Sequence, residues 1–143
     1  MKHILILLFC VVAVNTFAQP GANRKTTGKR INIPGTRVFN NPPAEFKIAT
    51  SFVGLQKDNV TGIQIMDVVG GNYYTNAATF GKEVFEEKGA KVLEYQETIV
   101  DDCPAKYIKM QADAATNSFA VVFGDTSFCV MLMAQCPADD LTT

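Results

Sequence analysis

Residues 118–136, SFAVVFGDTSFCVMLMAQC, are apolar at odd and even positions alike and carry a single charge, Asp125. A strand buried on both faces reads as a continuous apolar run rather than an alternating one. The GDTS break predicts a hairpin turn between strands at 119–123 and 128–135. Upstream, 105–112 alternates and places Lys106, Ile108, Met110 and Ala112 on one face. Residues 91–100 are rich in β-formers, and Asp101-Asp102-Cys103-Pro104 predicts the turn that joins the two. Residues 62–69 alternate more loosely, with Ile63 and Ile65 on one face and Met66 and Val68 on the other. Shorter strands are expected at 46–48 and 52–56. Helical spacing occurs only in 73–88, where Tyr74, Ala77, Ala78, Gly81, Val84 and Phe85 form a stripe. Asn72 or Thr75 suits the start of that helix and Gly89 its end. Gly81 inside it costs about 1 kcal/mol relative to Ala, which a close approach to the sheet would explain. The pattern predicts an α+β fold: an antiparallel sheet of about six strands with one helix packed on one face.

The N-terminus changes the setting. Lys2 and His3, the apolar run from Ile4 to Val14 and Thr16-Phe17-Ala18 read as a signal peptide, residues 1–18, cleaved near Ala18/Gln19. The run is shorter than the roughly 20 apolar residues a membrane span needs, so no transmembrane segment is expected. Cys10 follows Phe9 in mid-run, which does not suit a lipoprotein anchor. A secreted or periplasmic protein follows, with about 125 residues left for one domain and one core. Residues 19–32 hold Arg24, Lys25, Lys29 and Arg30 and read as a flexible basic linker; the domain is expected over 33–138. The formal net charge of −1 gives no reason to expect a nucleic-acid partner.

The candidate chemistry is sparse. His3 is the only histidine and leaves with the signal, which removes His-based catalysis and imidazole zinc sites. No enzyme activity and no cofactor are expected. Asp101-Asp102, Glu86-Glu87 and Asp139-Asp140 read as solvated turn or helix residues rather than acid–base pairs. Gly70-Gly71 before the helix lacks the rest of a phosphate-binding pattern. Asn59-Val60-Thr61 is an N-glycosylation sequon, meaningful only in a eukaryotic host. Cys129, Met131 and Met133 share a strand face, and three soft sulfurs in a row could hold Cu(I); core packing is the competing reading. Cys103 and Cys136 are candidates for a disulfide or for free thiols.

Pro42-Pro43-Ala44-Glu45-Phe46 leading to Phe52-Val53-Gly54, the 63–68 strand, the helix ending at Gly89, Asp102-Cys103-Pro104-Ala105-Lys106 and Val121 to Asp125 before Pro137 together resemble the Mog1/PsbP-like superfamily, in particular its small secreted bacterial members. The resemblance spans residues 33–138 and implies an α/β/α sandwich. Its members include a photosystem accessory subunit and a small-GTPase partner, roles that a shared fold does not transfer. In such folds a second helix follows the last strand. Here residues 139–143 read as the start of that helix, so the second helical layer is expected to be missing by truncation, or replaced by a partner. The leading function is a non-enzymatic binding or accessory module that contacts a protein partner, or itself, through the apolar sheet face. The alternative is a carrier of a small hydrophobic ligand or Cu(I) on that face.

Overall fold

A computed structural model describes residues 29–111 and 113–139. The signal segment and most of the basic linker therefore lie outside the described residues, as do residues 140–143 of the helix start expected at 139–143.

Chain order gives β1 (Ile31–Asn32), β2 (Phe39–Asn40), β3 (Lys47–Ile48), β4 (Gly54–Gln56), β5 (Gly62–Asp67), α1 (Tyr73–Asn76), a 3-10 turn (Ala77–Thr79), α2 (Lys82–Glu87), β6 (Lys91–Val100), β7 (Cys103–Gln111), β8 (Thr116–Gly124) and β9 (Cys129–Pro137). Strands β3 to β9 form one antiparallel sheet in the order β3-β4-β5-β9-β8-β7-β6, and β1 and β2 pair separately as a small ribbon. This is the expected α+β architecture with one more strand in the sheet. β9 is the central strand, paired with β5 on one side and β8 on the other. That position explains the apolar start of β9: Cys129 and Met131 meet one core cluster, Val130 and Leu132 the other.

The helical segment covers one face. Tyr73, Ala77 and Phe80 bury against Ile108, Met110, Ala120, Val122 and Cys129. Asn72 caps α1 through a reciprocal box with Thr75, each side chain accepting from or donating to the other's backbone. The segment is not the single helix expected from the spacing. Phe80 leaves helical geometry at φ −101, ψ 88, and Gly81 becomes the extended cap of α2. A Cβ on Gly81 would meet only the Glu83 carboxylate at 3.6 Å, so Gly81 marks a break and not a close approach to the sheet. The buried stripe shifts accordingly: Tyr73 and Phe80 turn inward, whereas Tyr74 is exposed.

Among the described residues, the ribbon packs on the opposite face. Ile33 is 0% exposed and packs with Leu55, Ile65 and Val130. Thr36 holds the ribbon turn by donating its hydroxyl to the Ile33 carbonyl at 2.9 Å and accepting the Val38 N–H at 3.0 Å. Arg37 ties the turn to the sheet, its Nε 2.8 Å from Asp67 Oδ2 and its guanidinium 5.1 Å from the centre of the Phe128 ring. Residues 31 and 32, expected in the linker, thus form β1, and the 118–136 stretch is covered by its own chain over much of its length, with Met133 and Gln135 left exposed.

The β8–β9 turn needs Gly124. Its φ is +152, and a Cβ there would run into the Phe128 carbonyl oxygen. Asp125 finishes the turn by accepting from the Ser127 N–H and hydroxyl, both at 2.7 Å.

Candidate functional site

Strand register sorts every candidate onto one of the two faces. Cys129, Met131 and Met133 share the helix-bearing face, as their spacing requires. They differ in surroundings. Cys129 is fully buried beneath the helical segment, Met131 packs at the margin of that cluster, and Met133 is 39% exposed beyond it. Burial pushes the Cys129 thiol above its usual range, and the nearby Asp67 carboxylate adds to the shift. That environment opposes the thiolate that a soft metal takes. Among the described residues, no three His, Cys, Asp or Glu side chains converge on a metal-sized site.

Cys103 opens β7 beside Val100, while Cys136 sits near the end of β9 opposite Asn117, which in turn faces Gln111. The two cysteines are eight residues apart along the β7 direction, about 26 Å at strand rise. A bridge needs Cα atoms within about 7 Å, so the disulfide between them considered from sequence is ruled out within one chain. Asp101 and Asp102 form the β6–β7 turn with φ of 47 and 64 and are exposed, as are Glu86 and Glu87 on α2. The Tyr73 N–H at the start of α1 is taken by the carbonyls of Asp125 and Phe128 at 3.0 and 3.1 Å. Gly70-Gly71 lies in the connection between β5 and α1, and that donor is unavailable to a phosphate.

Two concave surfaces are formed by the described residues at the margins of the cores. The first lies on the helix-bearing face, past the end of the helical cover. It encloses about 290 Å³ and is lined by Phe52, Gln56, Gly62, Gln64, Met133 and Gln135. Oδ1 of Asp58, also on its wall, accepts from the N–H groups of Val60 and Thr61 at 2.8 and 2.7 Å. Those two backbone bonds, in that order, hold Asp58 below the usual carboxylate range. Asn59 of the sequon stands on the same wall.

The second is a groove of about 410 Å³ on the opposite face, between the ribbon and the sheet. Val100, Val121, Phe123 and Leu132 form its floor, and Val38 and Phe39 its wall. The buried Oδ1 of Asn41, a lining residue, has no hydrogen-bond partner.

Of the residues singled out by sequence for their chemistry, Met133 and the sequon Asn59-Val60-Thr61 border the first basin. Phe52 and the glutamines escaped notice because they come from the β4 approach, β4, β5 and β9. The available signal was weak: Gln64 and Gln135 interrupt otherwise apolar strands at positions that share a face. Neither a family model nor a curated protein matches this chain.

Proposed function

We propose that the chain is a non-enzymatic binding module, secreted or periplasmic after loss of residues 1–18, whose contact surface is the open end of the helix-bearing face. The observation that carries this reading is the basin itself: a preformed hollow with an aromatic ring and convergent amides, and no pair of free acid–base groups. A location outside the cytoplasm rests on the sequence of residues 1–18. Among the described residues, no helix is long and apolar enough to cross a membrane.

The test compares wild type with Met133→Arg, which puts a long cation into the basin from an exposed position. Both are challenged with neutral sugars, dipeptides, short carboxylates and quaternary ammonium compounds. Thermal stabilisation of wild type by one class, lost in Met133→Arg, supports the reading. Stabilisation by none, or equal stabilisation of both proteins, overturns it.

The second groove favours a second reading, a carrier of a small apolar ligand under the ribbon. Its floor of Val121, Phe123 and Leu132 is the observation behind it. An apolar dye that binds wild type and is lost in Phe39→Glu supports this alternative; a dye that ignores the substitution removes it.

A further inference from the structure

The register of the sheet builds the basin in two rows. Gln56 of β4 faces Gly62 of β5, Gly62 faces Gln135 of β9, and Gln135 faces Ser118 of β8. In the next row on the same face, Gln64 stands opposite Met133. Strands lie about 4.8 Å apart, so Gln56 and Gln135 are about 10 Å apart at the backbone with a residue lacking a side chain between them. Phe52 uses that gap: a Cβ on Gly62 would come within 3.2 Å of the Phe52 Cζ, so the tip of the ring sits over Gly62. The result is an aromatic ring flanked by amides, with the Met133 thioether alongside. The Gln56 amide is held in place, donating through Nε2 to the Asp58 carbonyl at 2.8 Å.

The chemistry of this lining selects a class of ligand. Each primary amide offers a donor and an acceptor side by side, the complement of hydroxyl groups that both give and take hydrogen bonds. The ring offers an apolar surface for C–H groups. An anion would find no cation among the residues lining the basin, and a cation would find a single carboxylate, Asp58, whose Oδ1 already accepts two backbone N–H groups. A wholly apolar ligand would strip water from the amides without replacing its hydrogen bonds. We infer that this basin binds a neutral carbohydrate, with Phe52 as the stacking platform and Gln56, Gln64 and Gln135 contacting hydroxyl groups. The inference rests on the reading of the chain as a binding module and deepens it. Cleavage of the sugar is not part of it: glycoside hydrolysis uses two carboxyl groups about 5 to 9.5 Å apart, and Asp58 is the only acidic residue on the basin wall.

The experiment is calorimetric titration of the folded protein with soluble oligosaccharides built on glucose, xylose, mannose and N-acetylglucosamine. Phe52→Ala and Gln135→Ala are measured in parallel, with their circular dichroism and melting compared to wild type. At least one sugar is expected to bind wild type, and each variant to bind it about tenfold or more weakly. Gln135 is exposed on its strand, so its variant provides a test independent of any structural effect at Phe52. Absence of binding across all four sugars, or binding unchanged in both variants, overturns the inference. A non-sugar ligand from the wider panel that responds to Met133→Arg would leave the binding module standing while the carbohydrate falls. Silence in both experiments removes both.

Discussion

Ile33→Ala tests whether the ribbon is an integral layer of the fold. Ile33 is 0% exposed and meets Leu55, Ile65 and Val130 from three different parts of the sheet. Truncation to Ala removes roughly three methylene equivalents, about 2.4 kcal/mol of transfer free energy at about 0.8 kcal/mol each. The cavity left behind adds to this, and core Ile→Ala substitutions cost about 2 to 5 kcal/mol in total. A cost of about 3 kcal/mol is therefore expected. With a urea slope of about 1.5 kcal/mol per molar, the unfolding midpoint should fall by about 2 M at unchanged slope. Such a loss is a large share of a domain's total stability, so Ile33→Val is measured beside it, with about 1 kcal/mol expected. Val69→Ala is the control, since Val69 is 97% exposed and its loss should stay within about 0.5 kcal/mol. If Ile33→Ala costs less than about 1 kcal/mol, as a residue in a loose tether would, the ribbon does not seal that face and the assignment of the core is wrong.

Further expectations use other contacts. Lys106 donates to the Ala77 carbonyl at 2.9 Å from a half-buried position, so Lys106→Met should destabilise the helical segment by about 1 to 2 kcal/mol in the same urea assay. Asn72→Ala removes one half of the capping box and should cost about 1 kcal/mol, with Asn72→Asp largely restoring it. Asp58 and Asp125 are both held below their ordinary value, chiefly by hydrogen bonds to their ionised forms. Their stabilising effect is complete above the unfolded carboxylate range, about 3.9, and is lost as pH falls through the lower folded values. The melting temperature should therefore fall steeply below about pH 4, and less steeply in the double Asp58→Asn, Asp125→Asn variant. The buried Cys129 thiol should resist a thiol reagent at neutral pH until urea unfolds the chain, as followed by mass mapping of the labelled peptide.

The readable part of the fold was the part with long-range periodicity. β6 starts and ends where expected, and the meander through β9 follows within a few residues, because strands of nine or ten residues separated by Asp101-Asp102 and Gly124-Asp125 leave little ambiguity. The helical segment misled because Ala77 fits either stripe, and only the tertiary environment of Phe80 decides that the chain bends before Gly81. The ribbon was invisible for a different reason. Strands of two residues carry no period, and nothing in Ile31-Asn32-Ile33-Pro34 marks Ile33 as the most deeply buried residue of its segment. The basin depends on register: Gln56, Gln64 and Gln135 are spread over 80 positions of sequence and become neighbours only when β9 docks between β5 and β8.

The central place of β9 also sets a timetable. Until residues 130–135 pair with residues 62–67, the β3–β5 and β6–β8 portions have no shared strand to join them. Closing that roughly 65-residue loop carries an entropic cost on the order of 4 kcal/mol, repaid only once contacts on both sides of β9 form together. Ile33, although it emerges early during synthesis, has no complete pocket until Val130 arrives. A chain lacking β9 therefore holds β1 to β8 as a half-built, adhesive intermediate, and commitment to the native state is postponed until the last described strand is made.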